Sequence, residues 1–177
     1  LVSELAKTGK PVIALVMCGR PVIFNEIREH ADAVLCTWWL GSEAGNAICN
    51  VLWGEYNPSA KLPMTFPAHV GQIPIYYQNK STGRPTALKQ TYKASYIGYG
   101  LSYTDFGYSD LKLLPGKAAG VHTEVSVKVT NTGKCAGEEV VQLYVQDKVA
   151  SVTRPIKELK GFRKIHLNVG ESKTVAN

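Results

Sequence analysis

Two hydrophobic periods divide this chain. Residues 11–18, PVIALVMC, form a continuous apolar run, the pattern of a parallel strand buried on both faces. Residues 31–39, ADAVLCTWW, repeat that pattern. Between them PVIFNEIREHA places Val22, Ile23 and Ile27 on one helical face, with Pro21 as the predicted opening residue. LVSELAKTG predicts an earlier helix closed by Gly9. The strand–helix–strand order predicts a parallel pair joined by a right-handed crossover. After Trp39, Gly41 turns the chain, and Ser42 is the predicted N-cap of the next helix. Ala44, Ala47, Ile48, Val51 and Leu52 give that helix its apolar stripe, and Gly54 ends it.

From about residue 105 the period changes to two. In VHTEVSVKVTNTG, Val121, Thr123, Val125, Val127 and Val129 share one face, and His122, Glu124, Ser126 and Lys128 share the other. EEVVQLYVQD and LKGFRKIHL predict two further strands, and NVGES turns into a fourth. The expected architecture is an antiparallel β-sandwich, which takes about 100 residues when complete. Fewer follow residue 101, and two parallel strands cannot make a doubly covered sheet. Open core faces are therefore expected in both halves. Residues 57–100, with Pro58, Pro63, Pro67, Pro74 and Pro85, predict an extended connector held against a surface by its tyrosines.

Composition acts mainly by exclusion. A chain of 177 residues, 45% hydrophobic and 19% charged, is globular and long enough for one ordinary domain or two small ones. No apolar run is long enough to span a bilayer. The net charge of +6 divides into +3 over residues 1–100 and +3 over residues 101–177. No basic stripe with interleaved aromatics appears, so no nucleic-acid partner is expected. Cys18, Cys36, Cys49 and Cys135 match no C-x-x-C signature. The first three sit in apolar surroundings and read as core thiols, with a single disulfide left open. His30, His69, His122 and His166 lack ligand spacing, and the last two fall on strand patterns as surface residues. Neither a metal nor a cofactor is expected.

Candidate chemistry gathers at the strand ends. CGRP and GSEAG follow the two parallel strands, and ligands of open α/β sheets bind beyond the carboxyl ends of strands. Arg20, Trp38, Trp39, Ser42 and Glu43 are the best-placed residues. Each also has a structural reading: Arg20 pairing a carboxylate, Ser42 capping a helix, Glu43 offsetting the helix dipole. Gly41 and Gly45 do not make a phosphate loop, because no G-K-[ST] follows and Glu43 would repel an anion. GYGLSY lacks the third glycine and the helix of a dinucleotide fingerprint, and no G-x-S-x-G is present.

An ordered series of segments then carries a specific resemblance. GKPVIALVMCGRPV, ADAVLCTWWLGSEAGNAICNVLWGEYNPSAKLPMTFP, VGQIPIYYQNKSTGRP, GYGLSYTDFGYSDLKL, VTNTGKCAGEEVVQLYVQD and RPIKELKGFRKIHLNVGES follow one another over nearly the whole chain. Together they resemble the C-terminal part of glycoside hydrolase family 3, above all its bacterial periplasmic β-glucosidases. The resemblance implies α/β followed by all-β: residues 1–75 as the end of an α/β sandwich domain, 76–104 as a linker, and 105–177 as a truncated fibronectin type III-like sandwich.

It also implies retaining hydrolysis of terminal β-D-glucosyl residues by a parent enzyme. That chemistry uses a carboxylate nucleophile and a second carboxyl group as acid/base. The family's nucleophilic aspartate lies on a barrel domain and its acid/base glutamate on a loop upstream of the matched segments. No position of this chain corresponds to either, so no catalytic residue is carried over, and the chain alone is expected to be inactive.

Trp38, Trp39, Glu43 and Arg84 are the substrate-cleft candidates, with Tyr76, Tyr77 and Asn79 beside Arg84 at a cleft rim or a dimer contact. The implied partners are an oligosaccharide or aryl β-glucoside, a missing N-terminal barrel domain or companion chain, and a second copy in a homodimer. The implied location is periplasmic or secreted. The rival reading is a non-catalytic fibronectin type III-like module that binds carbohydrate or protein. Ala60 and Ile97 stand where the family usually has glycine and phenylalanine, and Ala60 would strain a turn that needs a positive φ.

Overall fold

The computed structural model describes residues 1–80, 98–114 and 123–176. An α/β unit comes first: helix α1 (Val2–Ala6), strand β1 (Ile13–Val16), helix α2 (Asn25–His30), strand β2 (Ala33–Cys36) and helix α3 (Ala44–Leu52). β1 and β2 pair in parallel, Ile13 opposite Ala33 through Val16 opposite Cys36, as the paired apolar runs predict. Gly9 and Gly54 follow α1 and α3 in the left-handed region, at φ +68° and +80°.

Three local expectations are corrected. Pro21 does not open a helix: α2 begins at Asn25, whose side chain donates to the Ala68 carbonyl at 2.7 Å. Ser42 is not an N-cap. A 3-10 turn over Gly41–Glu43 precedes α3, and no side chain caps either element. The cysteines are not core residues: Cys49 is exposed, Cys18, Cys36 and Cys135 are half-buried, and all four are free thiols.

The second unit is a sandwich of two sheets. Strands β3 (Phe106–Leu114), β4 (Glu124–Asn131) and β7 (Ser172–Ala176) form one antiparallel sheet in the order β3-β4-β7. Strands β5 (Gly137–Val145) and β6 (Glu158–Leu167) form the other. Val129, Val141, Leu167 and Val175 meet between the sheets, with Phe106, Val127 and Ile165 packed around them. Val125, Val127 and Val129 alternate as the period-two pattern predicts. β3 was not expected from the sequence. Its register shifts between Ser109 and Lys112, where Asp110 takes φ +52°, and that bulge breaks the alternation of FGYSDLKLL.

Both units are open. Ile13 and Leu15 stand exposed along β1, with Met17 just beyond its end, and Leu111, Leu113 and Leu114 along β3. An apolar cleft of about 410 Å³ lies in the sandwich, lined in part by Val125, Val127, Val141 and Val175.

A polar joint ties the units together. Asn57 is its centre: its amide donates to the Ala136 carbonyl at 3.0 Å, and its oxygen accepts from Ser102 Oγ and the Tyr103 amide, both at 2.8 Å. Glu138 accepts from Tyr56 Oη at 2.9 Å and Ser59 Oγ at 3.3 Å, and pairs with Lys164 at 2.5 Å. Lys61 pairs with Glu139 at 3.1 Å, the side chains only 16% and 11% exposed. Lys61 also donates to the Gly100 carbonyl, and Tyr108 Oη donates to Glu139 at 2.9 Å. Burial of that phenol, and then the Glu139 carboxylate, hold Tyr108 protonated well above the usual tyrosine range.

The strap beyond Asn57 runs against the returning chain. Leu62 pairs with Gly98 and Tyr99 through backbone bonds of 2.8 and 2.7 Å. A Cβ on Gly100 would fall 2.3 Å from the Ala60 carbonyl oxygen, so only glycine permits this approach. Ala60 itself has no positive φ, and the expected turn strain is absent there. Further along, Ile156 N–H donates to the Asn79 carbonyl at 2.9 Å, so this part of the connector lies on the sandwich.

Two outcomes follow. Lys61→Met leaves Glu139 without its cation and costs about 3–5 kcal/mol. Urea unfolding checks this, and the double variant Lys61→Met, Glu139→Leu recovers most of the loss. The second concerns pH. The Lys164 hydrogen bond, then the Tyr56 hydroxyl, lower the Glu138 pKa, and the Glu138 hydrogen bond raises that of Lys164. The carboxylate's contribution is present above its unfolded pKa of about 4.3 and is lost as pH falls through its lowered folded value. The lysine's is complete below about 10.4 and is lost as pH rises through its raised folded value. Both groups are largely solvated, so the effect is small. Glu138→Gln abolishes the acid-side loss in urea titrations at a series of pH values.

Candidate functional site at the parallel strand ends

The sequence from Thr37 to Glu43 builds one continuous feature beyond β2. Thr37 is buried, and its N–H and hydroxyl both donate to the Val16 carbonyl, at 3.0 and 3.4 Å. These bonds hold the end of β2 against the end of β1. The chain then reverses at Trp38, a non-glycine residue at φ +53°. Such backbone costs about 1–3 kcal/mol and persists only where surrounding packing enforces it. Here the packing is aromatic. The Trp38 indole lies 5.5 Å from the Phe66 ring, and Phe24 meets Phe66 edge-on at 5.3 Å. Phe66 is 1% exposed and anchors the cluster.

The reversal sends Trp39 outward. Its indole is 81% exposed and lies across Gly19, in the turn that follows β1. A Cβ on Gly19 would sit 3.4 Å from Trp39 Cε2, at ordinary contact distance. Trp39 therefore rests on backbone and presents the rest of its ring to solvent. Arg20 follows Gly19 on the same turn, is exposed, and makes no ion pair with a described residue.

Glu43 lies at the end of the 3-10 turn, exposed, with its carboxylate accepting from Asn46 Nδ2 at 2.7 Å. Among the described residues no second carboxylate is recorded as its partner. Ser42 is exposed and makes no capping bond. The strand ends thus bring together Gly19, Arg20, Trp38 and Trp39, with Glu43 farther along the same turn. They do not gather an acid–base pair. Arg84 lies outside the described residues. Tyr76 is exposed and Tyr77 half-buried, and Asn79 is engaged through its backbone with the sandwich. Among the described residues no group of three or more His, Cys, Asp or Glu could hold a metal ion. No described helix is long and apolar enough to cross a membrane.

Sequence reasoning missed the joint residues Tyr56, Asn57, Lys61, Glu138 and Glu139. The signal available was Glu139, a carboxylate one residue pair away from Val141 on a period-two strand, which demands a buried partner. It also missed the left-handed Trp38, because tryptophan carries no sequence mark for a positive φ.

Comparison with known proteins follows this division. Residues 1–103 match the glycosyl hydrolase family 3 C-terminal domain, and residues 139–176 match a fibronectin type III-like domain. A periplasmic β-glucosidase of Salmonella typhimurium is 48% identical over 99% of this chain and 25% of its own length. A β-xylosidase of Formosa agariphila is 47% identical over the same shares. The solved structure of a β-glucosidase from Listeria innocua in complex with isofagomine superposes with a TM-score of 0.90 at 38% identity, over 99% of this chain and 26% of that one. The chain spans about a quarter of the length of these relatives. With an α/β unit and an antiparallel sandwich each matching its domain in the expected order, this chain belongs to glycosyl hydrolase family 3.

Proposed function

We propose that the polypeptide carrying this chain is a retaining β-glucosidase that removes terminal β-D-glucosyl residues, and that this part supports the reaction without performing it. The observation that carries the reading is the near-complete coverage of the chain by a relative named as a periplasmic β-glucosidase, at 48% identity. Retaining hydrolysis needs two carboxyl groups about 5–5.5 Å apart. Among the described residues Glu43, engaged by Asn46, has no such partner, which supports a reading in which the nucleophilic aspartate and the acid/base glutamate lie in other parts of the enzyme.

On this reading Trp38 and Trp39 border the sugar cleft. A flat indole face suits the C–H surface of a pyranose, and Trp39 offers one supported from behind by Gly19. Trp38 fixes its direction. Glu43 and Arg84 are secondary contacts at the rim. A preceding barrel domain or companion chain covers the apolar face of β1, and a homodimer contact is a further assignment for the Tyr76–Arg84 stretch. The location is periplasmic or secreted, by analogy with the Salmonella relative.

A second reading keeps the site and changes the sugar: a relative at 47% identity is named a β-xylosidase. A non-catalytic carbohydrate- or protein-binding module is the remaining alternative.

The test is hydrolysis of aryl β-glucosides and aryl β-xylosides by the complete polypeptide and by a chain of residues 1–177 alone. Glucoside cleavage by the complete polypeptide, and none by the short chain, is the expected outcome. Preference for the xyloside selects the second reading. Sugar binding without hydrolysis by the complete polypeptide selects the module. Within the active enzyme, Trp39→Ala lowers kcat/KM about tenfold, equivalent to about 1.4 kcal/mol, with no change in the melting temperature.

A further inference from the structure

Phe66 reaches the strand ends from a distant part of the chain. It lies on the strap beyond Lys61, where Pro67 restricts its backbone to extended conformations. Both flanks of this stretch are tied down. Ahead of it, Leu62 is bonded through its backbone to Gly98 and Tyr99. Behind it, the Ala68 carbonyl accepts from Asn25 Nδ2, and the Ala68 N–H donates to Gln72 Oε1 at 2.8 Å. Gln72 Oε1 also accepts from the His69 N–H at 3.2 Å, which closes a 3-10 turn over Val70–Gln72 onto the strap. None of these bonds involves Trp38 or Trp39. The Phe66 ring is thus placed independently of the turn it supports, and it meets Phe24 at 74° and Trp38 at 59° between planes.

We infer that Phe66 is a positioning residue for the strand-end site: acting through Trp38, it sets where the exposed Trp39 indole stands. Trp38 holds a left-handed backbone that its side chain disfavours. Its contact with Phe66 offsets that cost. Without the ring, Trp38 gains by relaxing to a negative φ, and a change of φ at one residue swings the residue that follows. That residue is Trp39, whose indole then leaves Gly19. An ordinary core phenylalanine predicts otherwise: its loss lowers stability and leaves Trp39 in place in every molecule that folds.

A kinetic consequence rests on the cleft reading proposed above, whereas the placement of Trp39 does not. A merely structural loss reduces the amount of active enzyme, which lowers the apparent kcat and leaves KM alone. A displaced sugar platform raises KM instead.

The test incorporates 5-fluorotryptophan into the complete polypeptide and follows the fluorine resonances of Trp39 and Trp53, each assigned by its loss on substitution with phenylalanine. In Phe66→Leu, which keeps a buried apolar group and removes the ring, the Trp39 resonance shifts toward that of an unstructured peptide, and the Trp53 resonance stays in place. Trp38→Gly tolerates the left-handed backbone and has no ring, so it gives the same shift. Adding Phe66→Leu to it moves Trp39 no further, because the two act as one unit. Phe24→Leu trims the outer ring of the cluster, gives a smaller shift in the same direction, and decides the question if Phe66→Leu does not fold. Phe66→Leu also raises KM for an aryl β-glucoside about threefold while kcat stays within about twofold. An unmoved Trp39 resonance in folded Phe66→Leu overturns the inference, as does a further shift when Phe66→Leu is added to Trp38→Gly. A moved resonance with KM unchanged in both Phe66→Leu and Trp39→Ala upholds the positioning role and overturns the cleft reading instead.

Discussion

The buried pair between Lys61 and Glu139 is the contact on which the arrangement of this chain depends. Taking two charges out of water is expensive, and the attraction between them offsets that cost only when further hydrogen bonds complete the site. Here they do. The Gly100 carbonyl takes one lysine proton, and the Tyr108 hydroxyl serves the second carboxylate oxygen. Four separate stretches therefore converge on one charge pair: the loop after α3, the return past Gly98, strand β3 and strand β5. Asn57 repeats the scheme with neutral groups a few residues earlier. Such a joint adds less net stability than an apolar contact of the same size would. What it adds is specificity, because only one mutual placement of the two units satisfies every donor.

The strand ends show the opposite economy. There the chain keeps a tryptophan at a backbone conformation that its side chain disfavours, and the Phe66 ring, itself met edge-on by Phe24, packs against its indole. The result is a rigid turn with one indole inside and the next outside. Trp38 and Trp39 are adjacent in sequence and alike in chemistry, yet one stabilises the reversal while the other is left on the surface by it. Thr37, spending both its donors on one carbonyl of β1, makes the turn start from a fixed point.

Much of this was legible in the sequence where a single period governed a segment. The paired apolar runs gave the parallel strands, and the valines of β4 gave the face that packs in the sandwich. The glycines at 9 and 54 marked their helix ends correctly. Reading failed where tertiary contacts overrode local chemistry. Pro21 and Ser42 are good helix openers, but Asn25 and Ala44 begin the helices, because the chain is committed elsewhere: Trp38 must reverse, and a 3-10 turn takes up the geometry that Ser42 would have capped. β3 was hidden by its bulge at Asp110. At the site, position beyond the strand ends was readable, and orientation was not. Nothing in TWW says which ring turns outward.

The joint is also a statement about time. Tyr56 meets Glu138 across 82 residues and Lys164 across 108. Contacts so far apart in sequence pay their loop-closure entropy before they return anything. On a ribosome adding about 5–20 residues per second, the α/β unit is complete for several seconds before β5 and β6 exist to receive it. During that interval Asn57 and Lys61 are solvated by water and the strap they sit on has no fixed course. The joint therefore closes only after β5 and β6 have been made, and until then the amino-terminal unit lacks the edge that Glu138 and Glu139 give it.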